Sequence, residues 1–229
     1  MGSSRFGRFY RWILQVEGGL SEDPRDTGGT TYAGLTAPAL ARIDRNADGR
    51  WDYDLDGDSD VDGADVRALK GRPDLVEAWY RTEIWDRLRG DALPWPIALH
   101  VTDMAVNSGL AAAVLALQRA LNGAFGGRGH VDEDGRWGPA TAQAAMLASD
   151  AHTAAKVTEW FGVERSQFYG RVIRARTRKR VGELLLAAEG AITAAQVVEQ
   201  LRKAEVYGAA YERGWYRRLE LLRAEAARA

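Results

Sequence analysis

The first clear pattern along the chain is an amphipathic helix near its N-terminus. Apolar side chains recur every three or four residues over residues 6–14, and glycines follow at 18 and 19. This spacing predicts a helix with an apolar stripe, and glycine is typical of a helix C-terminus. Glu17 continues that stripe, being four residues after Ile13 and three after Leu14. Because partial desolvation favours a neutral carboxyl, Glu17 is a candidate general acid, the alternative being a structural Glu paired with a nearby arginine.

A segment rich in glycine and hydroxyl groups follows this helix. Residues 21–36 read S-E-D-P-R-D-T-G-G-T-T-Y-A-G-L-T, and the Pro and Gly residues favour tight turns. We expect these turns to bring Asp26 and several hydroxyls back toward Glu17. Glycoside hydrolysis uses such a set, since one group protonates the leaving oxygen and another activates water or stabilises the oxocarbenium-like centre. The candidate catalytic residues are Glu17, Asp26, Thr31 and Thr36, and the candidate substrate contacts here are Thr30 and Tyr32.

Apolar periodicity further along predicts a mostly α-helical protein. Helical spacing covers residues 74–89, resumes after a Pro-rich turn, and continues in an Ala- and Leu-rich stretch over residues 111–121. Pro139 is placed to start another helix. Asn107 and Ser108 end the helix that follows the Pro-rich turn, where an amide and a hydroxyl can bind the N-acetyl group of a sugar. Capping of the helix is the alternative role for this pair.

An acidic segment interrupts the pattern over residues 44–65, which hold nine Asp and two Arg. Residues 54–65 read D-L-D-G-D-S-D-V-D-G-A-D and match a twelve-residue calcium loop, whereas the overlapping segment 44–55 fits nine positions and fails at the twelfth. Because crowded carboxylates repel one another, we expect one or two structural Ca²⁺ ions, with a disordered acidic loop as the alternative. Catalysis itself is expected to need no cofactor. The candidate ligands are Asp44, Asn46, Asp48, Arg50 and Asp52 in the first loop, and Asp54, Asp56, Asp58, Asp60, Asp62 and Asp65 in the second.

Composition narrows the remaining classes of protein. The 229 residues include no cysteine, which excludes disulfides and thiol catalysis, and the three histidines are too scattered to support a metal peptidase. No apolar run approaches the roughly 20 residues that span a bilayer. The formal net charge of −1 conceals an asymmetry, because outside the acidic segment 29 basic residues face 23 acidic ones. A basic body suits an anionic target such as a cell wall, although solvated charges without a partner are the commoner explanation.

The motifs around Glu17 resemble those of the glycoside hydrolase family 108 muramidases, which include phage endolysins. Residues 17–20 read E-G-G-L and residues 23–36 read D-P-R-D-T-G-G-T-T-Y-A-G-L-T, similar to the family motifs E-G-G-Y, N-D-P-x-D-P-G-G and G-I-T. The differences at Leu20, Glu22 and Thr27 remove no carboxylate. The resemblance implies that Glu17 is the catalytic acid and that the fold is a lysozyme-like helical fold with two lobes.

Motifs in the C-terminal half resemble the peptidoglycan-binding module found at the C-terminus of the same family. Residues 131–141 read V-D-E-D-G-R-W-G-P-A-T, and residues 213–218 read R-G-W-Y-R-R. The resemblance implies a catalytic lobe over residues 1–105, which contains the calcium insert at 44–65. A helical peptidoglycan-binding lobe is expected over residues 106–229.

The predicted function is hydrolysis of the β-1,4 bond between N-acetylmuramic acid and N-acetylglucosamine. Two alternatives stay open: a non-catalytic, calcium-dependent wall-binding or docking protein in which Glu17 is structural, and a lytic transglycosylase. The expected partner is peptidoglycan, with no nucleic acid, no stable membrane insertion and a monomeric state. Because the N-terminus lacks the continuous apolar region of a secretory signal, we expect a phage or prophage endolysin that accumulates in the host cytoplasm and acts on the periplasmic wall.

Overall fold

The computed structural model describes residues 4–22, 29–41, 43–126, 131–186, 217–218 and 220–227. The predicted catalytic residue Asp26 and the Gly214-Trp215 part of the C-terminal motif lie outside these ranges. The described residues are mostly helical with one small sheet, which confirms the predicted fold class. Within these ranges, no helix combines the length and the apolar composition needed to cross a bilayer.

The chain divides into two compact units, one of Met1–Ala92 with Ala105–Ser108 and the other of Leu93–Met104 with Gly109–Ala229. The first unit contains α1 (Arg5–Glu17), β1 (Leu20–Ser21), β2 (Thr31–Tyr32), β3 (Leu35–Thr36), α2 (Ala37–Leu40), α3 (Gly63–Ala68) and α4 (Pro73–Trp79). Helix α5 (Trp95–Ser108) contributes residues to both units. The second unit continues with α6 (Leu110–Ala124), α7 (Pro139–Leu147) and α8 (Ala151–Leu186).

The core of the first unit is aromatic. Phe9 of α1 is fully buried, and its ring stacks on Trp85 with 5.4 Å between centroids and meets Tyr80 edge-on at 6.2 Å. Stacked and edge-on pairs of this kind add to the free energy gained by burying large apolar rings. The buried face of α1 therefore fixes the helix in place, and with it the position of the last helical residue, Glu17.

The helix predicted over residues 74–89 is not one continuous α-helix. Regular α4 ends at Trp79, and residues Tyr80–Trp85 follow as a π-helical turn in which Asp86 N donates to Arg81 O at 2.9 Å. A turn of this type inserts one extra residue into the helical repeat. Both Trp79 and Trp85 are buried and belong to the core of the first unit.

A buried ion cluster lies in the core of the second unit. Asp103 of α5 is fully buried and pairs with Arg165 of α8 and with Arg218, whose Nε donates to Asp103 Oδ1 at 2.9 Å. Burial alone would raise the pKa of Asp103, but the charges of the two arginines outweigh it and hold that pKa below its usual value. Burial, followed by the charge of Arg165, lowers the pKa of the nearby His100 to about 4.

The turn at residues 131–141, whose sequence resembles the peptidoglycan-binding module, is bound to α6. Gln118 donates from Nε2 to Asp134 Oδ1 at 2.8 Å and to Thr141 Oγ1 at 3.2 Å, and its Oε1 accepts from Gly135 N at 2.9 Å. Because Gln118 is 1% exposed, these bonds also satisfy a buried amide that would otherwise cost free energy. Gln118 thus attaches the turn at residues 131–141 directly to α6.

Candidate active site

Glu17 ends α1 where the sequence predicted a helix C-terminus. Gly18 follows with a φ of +76°, a backbone conformation that favours glycine, and its N–H donates to Leu14 O. The Glu17 side chain is half-buried, and its Oε1 atom is shielded from solvent. The candidate acid therefore lies at the edge of the core, as the apolar stripe indicated.

The segment after Gly18 folds into a three-stranded antiparallel sheet in the order β1-β2-β3. Ala33 and Gly34 form the two-residue turn between β2 and β3, with φ angles of +49° and +78°. Positive φ at both positions is the type I′ geometry that matches the twist of a hairpin. The buried hydroxyl of Tyr80 donates to Ala33 O at 2.6 Å, which ties this turn to the aromatic core.

The β2–β3 turn lies directly against the Glu17 carboxyl. An ideal Cβ built on Gly34 would be 2.9 Å from both Cγ and Oε2 of Glu17. A real Cβ does not tolerate this separation, so a side chain at position 34 would have to displace the carboxyl. The absence of a side chain at Gly34 thus defines where the Glu17 carboxyl can lie, a contact that the sequence motif did not reveal.

The strand register places two further candidate residues opposite each other. Thr31 of β2 faces Thr36 of β3 across the hairpin, and Tyr32 pairs with both Leu20 and Leu35. All three candidates are half-buried. Thr31, Tyr32 and Thr36 therefore share one small sheet, whose β2–β3 turn contacts Glu17 through Gly34, and their roles at the site stay predictions.

The candidate substrate residues on α5 belong to the same unit as Glu17. Asn107 is exposed and Ser108 is half-buried, and both lie in the last turn of the helix. Gly109 follows with a φ of +82°, which is typical of a residue after a helix end. Their proposed contact with substrate stays a prediction.

In the first acidic loop, four of the five candidate ligands are joined by hydrogen bonds within the loop: Asp44, Asn46, Asp48 and Arg50. The fifth, Asp52, pairs with Arg45 at 2.9 Å between Oδ2 and Nη1. Arg45 also reaches Glu83 at 3.4 Å. Hydrogen bonds from its own side chains therefore close this loop, and the guanidinium of Arg45 already balances the charge of the Asp52 carboxylate.

In the second loop, three candidate ligands converge. Asp54, Asp56 and Asp58 each offer a carboxylate oxygen, and these atoms lie within 4.8 Å of one another. Residual desolvation and the surrounding carboxylates raise the pKa of Asp56, against a backbone hydrogen bond from Asp58 that lowers it. The mutual repulsion of these carboxylates is what a bound cation would relieve.

The other three candidates of the second loop organise the start of α3. Asp60 Oδ1 accepts from Val61 N, and Asp62 caps the helix by accepting from Ala64 N. Asp65 is 2% exposed, and its two oxygens accept from Leu55 N at 2.6 Å and from Asp62 N at 2.9 Å. The residue at the twelfth loop position thus closes the loop through backbone hydrogen bonds.

Helix α3 connects this loop to the small sheet. Gly63, its first residue, lies against Thr30, whose Oγ1 would be 3.1 Å from a Cβ at position 63. One turn later, Arg67 pairs with Glu22 at 2.6 Å. Thr30, a candidate substrate contact, therefore also contacts α3, whose first residues belong to the insert.

Comparison with known proteins supplies the family. Residues 10–109 match the model of the glycosyl hydrolase 108 family, and residues 112–220 match that of a family described as a predicted peptidoglycan domain. The fold is similar to that of Brucella abortus SagA, with a TM-score of 0.55 and 24% identity over 89% of this chain and 95% of that one. No curated protein matches the chain significantly. The chain is therefore a glycoside hydrolase acting on peptidoglycan, which joins a domain of the glycosyl hydrolase 108 family to a predicted peptidoglycan domain.

Proposed function

We propose that the enzyme is an N-acetylmuramidase in which Glu17 is the general acid for the β-1,4 bond between N-acetylmuramic acid and N-acetylglucosamine. The contact between Glu17 and the β2–β3 turn carries this proposal: Oε2 lies against Gly34, and Oε1 is shielded from solvent. A general acid must keep one orientation toward the leaving oxygen, and a shielded carboxyl that lies against the β2–β3 turn suits that need.

Hydrolysis also needs a group that activates water or stabilises the positive sugar centre. We assign this role to Asp26, with Thr31 and Thr36 positioning water or substrate from facing strands. Inverting enzymes separate their two carboxyls by about 6.5–9.5 Å and retaining enzymes by about 5–5.5 Å, so that distance will define the stereochemistry. The proposed substrate contacts are Thr30, Tyr32, Asn107 and Ser108.

Analysis of the products tests this reaction. Digestion of purified sacculi followed by borohydride reduction should give fragments that end in reduced N-acetylmuramic acid, detected by mass spectrometry. Anhydro-muramyl ends would instead establish the transglycosylase alternative. Reduced N-acetylglucosamine ends would show that the other glycosidic bond is cut and would contradict the proposal.

We further propose that the enzyme acts as a monomeric phage or prophage endolysin on the periplasmic wall. Its basic character outside the acidic segment supports attraction to an anionic wall. The match of residues 10–109 to the glycosyl hydrolase 108 family supports a catalytic protein over the non-catalytic wall-binding alternative.

We propose that the second acidic loop binds Ca²⁺, with Asp54, Asp56 and Asp58 as the first ligands. Calcium takes six to eight oxygen ligands. The three converging carboxylates supply part of this set, and backbone carbonyls and water can complete it. Because Asp65 joins the loop to α3, and α3 contacts Thr30, the ion would also stabilise the sheet beside Glu17.

Removal of calcium should lower the melting temperature of the enzyme. At a free calcium concentration of about 100 times the Kd, binding adds about 2.7 kcal/mol of stability, which corresponds to about 5–10 °C for a chain of this length. Differential scanning calorimetry with and without chelator measures this shift. In the presence of chelator, the rate of amide hydrogen exchange should rise first in β2 and β3 and only later in the second unit.

A double variant provides the control for the calcium experiment. Asp54→Asn with Asp56→Asn removes two charges from the converging group while keeping the side-chain volumes, so its melting temperature should not respond to calcium. An unchanged melting temperature of the parent enzyme on chelation would refute the calcium proposal.

A further inference from the structure

Trp160 of α8 is a large apolar side chain that remains 41% exposed in the second unit. Its ring lies on Gly123 of α6: an ideal Cβ there would be 2.8 Å from Cδ2, 2.9 Å from Cε3 and 3.1 Å from Cε2. Cδ2 is a ring-fusion atom with ring carbons on all sides, so it can be the nearest atom only to a group above the ring plane. One face of the indole therefore covers Gly123, and the exposed area belongs to the rest of the ring.

This packing fixes the orientation of the indole. Only glycine at position 123 lets the ring approach the α6 backbone so closely, since any Cβ would meet the ring at less than 3 Å. An aromatic ring that is packed on one face against the protein and is partly exposed elsewhere loses little conformational entropy when a ligand covers it. Isolated exposed apolar side chains are common on protein surfaces, so the neighbours of Trp160 decide what it can bind.

A network of ion pairs lies one helical turn away from Trp160. Arg119, four residues before Gly123, pairs with Glu164, four residues after Trp160, at 3.6 Å. Arg119 also pairs with Glu133 at 3.0 Å. Residues four apart lie on the same helix face, so the Trp160–Gly123 contact and the Arg119–Glu164 ion pair lie one turn apart where α6 packs on α8.

We propose that the exposed face of Trp160 stacks on a pyranose ring of an N-acetylated amino sugar in the glycan strand. The carboxylates of Glu133 and Glu164 accept hydrogen bonds from sugar hydroxyl and amide groups, and Arg119 holds both carboxylates in place. A flat apolar surface beside a few fixed polar groups is the usual composition of a small-ligand site. The site deepens the peptidoglycan binding of the second unit and rests on the proposed function, because it takes the same glycan that Glu17 cleaves.

Co-sedimentation with purified sacculi tests this site, using the full chain with Glu17→Gln so that the polymer is not degraded. Added to that parent, Trp160→Ala should weaken binding by about tenfold, as expected for an aromatic side chain at the centre of a binding surface. Trp160→Phe should keep most of the affinity because it keeps a flat ring. Trp160→Leu should lose it, because Leu is apolar but has no flat face. Leu147→Ala, at a side chain that is 64% exposed in the same unit, is the control and should bind like the parent.

The outcomes separate failure of this site from failure of the proposed function. If the parent itself does not bind sacculi, peptidoglycan binding by the chain fails. If the parent binds and Trp160→Ala or Trp160→Leu binds equally well, the Trp160 site is wrong. Circular dichroism melting of each variant identifies loss of fold, and Trp160→Leu, which retains much of the packing volume over Gly123, keeps the test valid if Trp160→Ala unfolds.

Discussion

Replacing Glu17 with Gln should lower the rate of peptidoglycan hydrolysis by about 10²–10⁴-fold, the range that general acid catalysis typically contributes. The amide has nearly the same shape as the carboxyl, so it can keep the position against Gly34 while losing the proton that the leaving oxygen requires. Turbidity loss of permeabilised Gram-negative cells measures the rate, and the release of reducing ends from purified sacculi confirms it.

The matched control for Glu17→Gln is Glu22→Gln in the same segment. Glu22 pairs with Arg67 at 2.6 Å on the surface, where such a pair contributes about 0–1 kcal/mol, so this variant should keep most of the activity. Equal activity of Glu17→Gln and the parent would refute the assignment and leave Glu17 with a structural role.

Gly34→Ala should lower activity by about 10²-fold while the protein stays folded. The new Cβ would lie 2.9 Å from Glu17 Cγ and Oε2, so it must move the carboxyl. The end of a Glu side chain moves at little cost in stability, but a misplacement of about 1 Å can reduce catalysis by about 10²-fold. The expected loss of stability is about 1–2 kcal/mol, from placing Ala at a φ of +78°. Hydrolysis rate and urea denaturation, measured on the same preparation, separate the two effects.

Gly126→Ala controls for the backbone strain alone. Gly126 also has a positive φ, of +61°, but a Cβ there would have nothing within 4 Å. It should therefore lose similar stability and keep its activity. If both variants lose activity in proportion to their unfolded fraction, Gly34 has no positioning role for Glu17.

The sequence predicted the helix end, the hydroxyl-rich turn and their proximity, because each depends on local spacing. Helical periodicity placed Glu17 at the edge of the core, and the Gly and Pro residues indicated a chain reversal. The contact with Gly34 was not predictable in the same way, since it depends on the register in which Tyr32 pairs with Leu35. A single shift of that register would turn the other side of the hairpin toward the helix.

Charged residues were harder to interpret than apolar ones. Residues 165–180 hold seven basic residues and no acidic one, a pattern that usually indicates a solvated helix face, yet Arg165 is fully buried beside Asp103. Its partner is 62 positions away in the sequence, so no local pattern indicates the pair. Asp65 shows the same difficulty, because an Asp at a metal-ligand position and an Asp in a capping box look alike until the backbone is known.

The Asp103–Arg218 pair limits where the second unit can be cut when it is transplanted onto another wall-degrading enzyme. The two residues are 115 positions apart, and a fragment that ends before Arg218 would leave the buried carboxylate of Asp103 without that guanidinium. Loss of one member of a buried ion pair typically costs about 3–5 kcal/mol, a large part of the stability of a small domain. A transplanted module should therefore begin before α5 and extend past Arg218, so that the ion cluster is moved intact.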